Sequence, residues 1–224
     1  MKKLVIFGNG QVADIIYDYF KKDKNFEVIS FCVDDKFNLK KKHLNLPVIP
    51  ISKLKKYYPP KENYIFVALS YSNINQKRKE KFNQLKKMGY SFANLIVSKS
   101  SLPSSVIIGR NVVVLDSKCI QPFTQIKDNV FIWNGTIIGH HSVLQNHCWI
   151  TSGSNIGGNS IIGEKSFLGL NSTVGNMVKV GKNCFLGANS LITKNLSNNR
   201  VCVNKDTNIF PLQSPDFIRL TKFK

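Results

Sequence analysis

Residues 154–177 read SNIGGN SIIGEK SFLGLN STVGNM, four hexads with serine first, an aliphatic residue third and glycine fourth. The register extends in both directions. Every sixth position from Ile96 holds Ile, Leu or Val: Ile96, Leu102, Ile108, Val114, Ile120, Ile126, Ile132, Ile138, Leu144, Ile150, Ile156, Ile162, Leu168, Val174, Val180, Leu186 and Ile192, seventeen slots ended by Asn198. Two residues before the slot the side chain is usually small, as at Thr136, Ser142, Cys148, Ser154, Ser160, Ser166, Ser172, Cys184 and Ser190. One residue after it glycine recurs, at Gly139, Gly157, Gly163, Gly169, Gly175, Gly181 and Gly187. This is the hexapeptide repeat of a parallel β-helix.

Each hexad makes a short strand and a corner, so three hexads make one triangular coil. The aliphatic slot points inward and stacks on its equivalent one coil away. The small residue fits the crowded inside of the corner, and glycine is expected to supply the positive φ of a tight turn. With about five coils spaced roughly 4.8 Å apart, the prism is on the order of 25 Å tall. Cys148 and Cys184 fall in small-residue slots and read as structural.

Before residue 96 the pattern is different. KKLVIFG is a buried-strand run, QVADIIYDYFKK places Val12, Ile15, Ile16 and Tyr19 at helical spacing, FEVISFCVDD and NYIFVALS are further strands, and INQKRKEKFNQLKKMG is a charged helix stopped by Gly89. Strands alternating with helices predict a parallel sheet with helices on its faces. The expected organisation is an α/β Rossmann-like half-domain over 1–95, the β-helix over 96–195 and a tail over 196–224 ending in a short helix at SPDFIRLTKFK.

Gly8-Asn9-Gly10-Gln11 joins the first strand to the first helix, where backbone N–H groups can hold a phosphate. Asp34 and Asp35 follow about twenty residues on, where a ribose-binding acid of a dinucleotide fold lies. An NAD site would need two mononucleotide halves, and the residues before the hexads suffice for one. A tight strand–helix turn without a ligand is the plain alternative.

The 224 residues carry a net charge of +19, which divides as +11 over residues 1–95 (19 Lys and Arg, 8 acids) and +8 over 96–224 (13 and 5). Charge spread this way is neither a basic tail nor a recognition helix. No aromatic-basic nucleic-acid motif accompanies it, and the reading is a solvated lysine-rich surface that favours small polyanions such as nucleotide diphosphates and coenzyme A. The apolar runs are too short to cross a bilayer. No signal peptide is read, and five cysteines without a CxxC pair point to reduced thiols in a cytoplasm.

Three of the four histidines fall in TIIGHHSVLQNH, residues 136–147. Relative to the inward slot Ile138, His140 and His141 occupy an outward corner, whereas His147 belongs to the next corner. The column through His140 reads Pro122, His140, Gly158, Asn176, Lys194. A glycine one coil from the imidazole leaves room for a thioester beside a base, and its backbone N–H is a candidate oxyanion donor.

The order GNGQVADII, a strand ending in DD, FVALSYSNINQKR, and hexads bearing IGHHSV, FLGLNS and GKNCFLGANS resembles the NeuD/PglD-like family of bacterial sugar acetyltransferases. The resemblance implies a left-handed β-helix and an N-acetyltransferase of bacterial surface-glycan synthesis that moves an acetyl group directly from acetyl-CoA to a nucleotide-linked amino sugar. It implies a homotrimer with active sites between subunits and His140 as general base. Many members follow that histidine with Asp or Glu; His141 stands here instead, leaving the base without its usual partner, which suits amine better than hydroxyl acylation. By the same resemblance Gly158, Gly169, Leu170, Gly187 and Ala188 border coenzyme A, Gly8, Asn9, Gly10 and Gln11 the diphosphate, and Asp34, Asp35, Ala68, Leu69 and Ser70 the nucleoside. No metal is implied. The alternatives are sugar O-acetylation on the same fold, a zinc enzyme like the γ-class carbonic anhydrases using His140, His141 and His147, and a non-catalytic trimeric binding module.

Overall fold

The computed structural model describes residues 1–38, 40–97, 102–116 and 119–221. The chain opens with β1 (Lys2–Phe7), α1 (Gln11–Phe20), β2 (Phe26–Val33), β3 (Lys42–His43), β4 (Leu46–Pro50), α2 (Ile51–Tyr57), β5 (Asn63–Val67), α3 (Gln76–Lys87) and β6 (Ser91–Phe92). The strands form one sheet in the order β3-β4-β2-β1-β5-β6, parallel except for the β3–β4 pair. The two faces of β1 follow its period of two. Leu4 and Ile6 pack with Ala13, Ile16 and Phe20 of α1, and Val5 and Phe7 with Leu54 of α2 and Phe82 and Leu85 of α3.

The hexads then close a parallel β-helix with the three faces that the periodicity predicts and the left hand that the resemblance implies. The first face is built from Cys119–Ile120, Ile137–Ile138, Asn155–Ile156, Thr173–Val174 and Leu191–Ile192. The second is Ile107–Ile108, Gln125–Ile126, Val143–Leu144, Ile161–Ile162 and Lys179–Val180. The third runs from Leu95–Ile96 through Val113–Val114, Phe131–Ile132, Trp149–Ile150, Phe167–Leu168 and Phe185–Leu186 to Val201–Cys202. The inward slots from Val114 to Ile192 form one buried core. Each buried aliphatic chain contributes about 1.5–3 kcal/mol.

Small residues before the slots have a second task. The hydroxyls of Ser142, Ser154, Ser160 and Ser166 donate to the carbonyls of Gly157, Gly169, Gly175 and Gly181, and the Cys148 thiol, pushed up to about 12 by burial, points at the Gly163 carbonyl.

The recurring glycines have a different role from the one the sequence suggests. None of Gly139, Gly157, Gly163, Gly169, Gly181 and Gly187 has a positive φ. A Cβ on Gly139 would lie 2.4 Å from the nitrogen of Gly158, and one on Gly157 2.5 Å from the nitrogen of Asn176. Close approach of successive coils therefore demands glycine there. The left-handed residue comes two positions later and is often asparagine, as at Asn159 (φ 56°), Asn171 (54°), Asn183 (57°) and Asn189 (56°), or histidine at His141 (56°) and His147 (68°). Asparagine and histidine tolerate that region better than most side chains.

The last coil is two residues short. Val180 pairs with Leu196 and Phe185 with Val201, sixteen residues on, so prism pairing continues beyond Asn198 on a shortened loop. Helix α4 (Ser214–Thr221) follows with no buried residue. Residues 222–224 of the expected terminal segment lie outside the described residues. Among the described residues no helix is long and apolar enough to cross a membrane.

The α/β domain covers the third face. Outward-facing Val113, Phe131, Trp149, Phe167 and Phe185 meet Phe31, Phe66 and α1 in one apolar cluster. At the neighbouring corner Arg78 of α3, fully buried, bonds to the backbone and side-chain oxygens of Asn129, to Asn75 Oδ1 (2.7 Å) and to the His147 and Cys148 carbonyls. Its guanidinium lies 4.4 Å from the Phe131 ring centroid, and burial pushes its pKa down to about 9. Among the described residues the first face carries no such cover, and Ile137 and Leu191 on it are exposed.

Candidate active site

His140 stands at the corner between the first and second faces, exposed, with its backbone N–H held by Gln121 Oε1 at 2.9 Å. A Cβ placed on Gly158 would lie 2.9 Å from His140 Nε2 and 3.1 Å from Cε1. The missing side chain is thus what lets the imidazole lie flat over the next coil. Beside it runs a groove of about 390 Å³ lined by Ile137, Asn155, Gly157, Gly158, Thr173 and Asn176, among others.

His140 has a hydrogen-bonding partner in His141. The left-handed backbone at His141 turns its ring back, and the two Nδ1 atoms lie 3.1 Å apart. One must donate and the other accept. When His140 carries its proton on Nδ1 and gives it to His141 Nδ1, His140 Nε2 is left with a lone pair facing the Gly158 gap. The His141 ring also leans on Phe123, centroids 4.7 Å apart.

The oxyanion donor expected from Gly158 is not free. Its N–H donates to Asn176 Oδ1 at 2.8 Å, and the neighbouring N–H groups of Gly157 and Asn159 go to the carbonyls of Val174 and His140.

His147 is separated from this pair. It is buried beneath the α/β domain, its Nδ1 accepting from Asn129 Nδ2 at 2.9 Å. Burial first, then the nearby Arg78 charge, pushes its pKa down to about 4. The three histidines that suggested a zinc site do not converge, and no three metal-ligating side chains gather among the described residues. Gly169, Leu170, Gly187 and Ala188 lie at the corner between the third and first faces, across the first face from His140 and outside its groove.

A second cavity, of about 320 Å³, opens in the α/β domain. It brings together Gly8, Asn9, Gly10, Asp34 and Leu69 of the expected set. Gly8 has φ 121°, and a Cβ there would meet the Ala68 carbonyl oxygen at 2.7 Å, so only glycine fits the turn. Gly10 caps α1 without a side-chain acceptor, which leaves the first N–H groups of the helix open to an anion. Gln11, Asp35, Ala68 and Ser70 do not line this cavity. Asp35 turns away to Ser52 (Oγ at 2.8 Å), Ser70 bonds to Ser72, and Ala68 backs Gly8 from behind. The sequence reading missed Lys36, Phe37, Lys77, Glu80 and Lys81. Lys77 and Lys81 are one turn apart on α3, and that spacing was the available signal. Lys81 pairs with Asp34.

The fold and the two cavities define a class: a hexapeptide-repeat β-helix joined to a small α/β domain with a cavity at its first strand–helix turn. Residues 3–85 match the family described as the PglD N-terminal domain, and residues 160–194 match the hexapeptide repeat of succinyl-transferase. The two matches place a PglD-type N-terminal domain ahead of hexapeptide repeats in this chain. Among solved structures it is similar to PerB from Caulobacter crescentus in complex with CoA and GDP-perosamine (TM-score 0.77, 22% identity, 90% of this chain and 93% of that one). It is similar as well to the acetyltransferase domain of PglB from Neisseria gonorrhoeae in complex with acetyl coenzyme A (TM-score 0.77, 22% identity, 89% and 95%). No curated protein sequence matches the chain.

Proposed function

We propose that the protein is an N-acetyltransferase that moves an acetyl group from acetyl-CoA to the amino group of a nucleotide-linked amino sugar, in the cytoplasmic synthesis of bacterial surface glycan. The observation that carries the reading is His140 Nε2, aimed over the side-chain-free Gly158 in an open groove and backed at Nδ1 by His141. The sugar amine gives a proton to Nε2 as its nitrogen attacks the thioester carbonyl, and the imidazolium returns that proton to the departing thiolate. No covalent enzyme intermediate is needed.

The nucleotide lies in the cavity of the α/β domain, its diphosphate against Gly8, Asn9, Gly10 and the start of α1, with Lys36 and Lys77 for charge and Leu69 and Asp34 near the nucleoside. Gln11, Asp35, Ala68 and Ser70, which do not line the cavity, are left out of the site. The hydrogen bonds joining the two domains run to the corner of Asn129, His147 and Lys165, not to that of His140. We therefore assign the active site to the seam of a homotrimer. There a neighbouring subunit closes the groove, and Gly169, Leu170, Gly187 and Ala188 carry the pantetheine arm from the facing prism. Apolar side chains left bare on the uncovered faces support that packing: Ile107 is 59%, Ile137 44% and Leu191 67% exposed.

Incubation with acetyl-CoA and a panel of UDP-, dTDP- and GDP-linked amino sugars, followed by thiol release, tests this. Turnover confined to one amino sugar establishes the class. The supported His140–His141 pair also suits hydroxyl acylation, so turnover only with sugars lacking the amine would reassign the protein as an O-acetyltransferase. Acetyl-CoA binding with no transfer to any sugar would make it a binding module.

A further inference from the structure

Asn176 is two coils above His140 in one corner column, with Gly158 between them, and both side chains line the same groove. Its Oδ1 accepts the Gly158 N–H at 2.8 Å. A backbone N–H can only be met by the amide oxygen, so this bond fixes which way the side chain is turned. Nδ2 is the other end, and it makes no hydrogen bond to any described residue.

Equivalent positions elsewhere in the prism show what the ladder alone requires. Asp128 Oδ1 takes the Arg110 N–H at 2.9 Å, Asn146 Oδ1 the Asp128 N–H at 3.0 Å, and Asn198 Oδ1 the Lys182 N–H at 2.8 Å. An acceptor suffices, and an aspartate supplies it as well as an asparagine. The donor end of Asn176 is surplus to the fold, and it sits at a corner with a base.

The two side chains converge on one glycine. A Cβ on Gly158 would lie 2.9 Å from His140 Nε2, and Asn176 Oδ1 lies 2.8 Å from the Gly158 nitrogen, so the base and the amide flank the gap that the missing side chain leaves.

We propose that the Asn176 side-chain amide, through Nδ2–H, holds the thioester carbonyl oxygen of acetyl-CoA and the oxyanion it becomes. The inference rests on the acetyl-CoA-dependent reading above. As the amine nitrogen bonds to the carbonyl carbon, the C=O pair moves onto the oxygen facing Asn176, and the amine proton passes to His140 Nε2. Collapse restores C=O and expels the thiolate, which takes the proton back. The products are the acetamido sugar and free coenzyme A.

Asn176→Asp keeps the acceptor for Gly158 and removes the donor, whereas Asn176→Ala removes both and vacates the Gly158 N–H. Acetyl-CoA labelled with 13C at the carbonyl, bound to each protein, is read by isotope-edited infrared difference spectroscopy alongside turnover. The wild type is expected to lower the carbonyl stretch relative to free acetyl-CoA. Both variants are expected to lose that shift while still binding, and to lower kcat by about 100-fold with KM for acetyl-CoA little changed. Retention of the shift and rate in Asn176→Ala would assign the oxyanion to the Gly158 N–H and overturn the proposal. Retention in Asn176→Asp overturns it too, and in both cases acetyl-CoA chemistry still stands. Failure of the wild type to bind acetyl-CoA would instead overturn both readings.

Discussion

The corner carrying His140 and His141 and the corner carrying Asn146 and His147 are made by the same hexad rule, one strand apart. Each places a histidine in the left-handed position, His141 with φ 56° and His147 with φ 68°. One is exposed and turned back onto an imidazole; the other is buried, hydrogen-bonded to Asn129 and pushed down to about 4. What separates them is cover. The second–third corner lies beneath α3 and its Arg78, and the first–second corner is bare. The repeat makes corners, and the domain packed outside decides which of them is structure and which is open for chemistry.

The comparison predicts effects of different kinds. At the bare corner, His140→Asn should lower acetyl transfer by about 100- to 10,000-fold with a nearly unchanged melting temperature, since its side chain is exposed. A fall in melting temperature matching the rate loss would show that this corner is structural as well. At the covered corner, Arg78→Met keeps the volume but strips the Asn129, Asn75, His147 and Cys148 oxygens of their donor. We expect a loss of about 3 kcal/mol in urea unfolding; a change below about 1 kcal/mol would mean that the domains do not depend on this contact.

His147 carries a pH signature. Unfolded, it protonates near its ordinary 6.5; folded, near 4. Between these values the unfolded chain binds the extra proton, so stability falls as the pH drops from about 6.5 to about 4 and levels off below. By linkage the loss approaches about 3 kcal/mol. His147→Asn should flatten that part of the stability profile, and an unaltered profile would place the titrating group elsewhere.

The smallest expected change is at His141. His141→Ala should lower kcat by about 10-fold, leaving KM for both substrates near wild type, and His141→Glu should restore most of it. A rescue by Glu separates orientation of His140 from mere packing against Phe123.

The architecture was legible because a hexad repeat leaves few alternatives: seventeen aliphatic slots fix three faces, their register and the outward placing of His140. The α/β domain was legible from alternating strands and helices. Interactions that depend on neighbours one coil or one domain away were not. The glycines looked like turn formers because φ and close approach select the same residue. Asn176 capping Gly158, and His141 reaching His140, depend on side-chain directions that periodicity does not contain. Arg78 was hidden in QKRKEK, although Arg78, Phe82 and Leu85 share the buried helical face, and that spacing marks it. The cavity lysines were missed because the glycine turn drew attention to one wall of the pocket, whereas α3 supplies another. Asp35 was misplaced because adjacent residues after a strand point in different directions.

The central claim is that the bare corner transfers an acetyl group, and identification of the product tests it most directly. Wild type and His140→Asn would be incubated with acetyl-CoA and nucleotide-linked amino sugars, and the sugar products examined by mass spectrometry and NMR. The account predicts an acetyl group on the amino nitrogen with the wild type, and almost none with His140→Asn. Equal acetylation by the two proteins, or no acetylated sugar from the wild type, would contradict it.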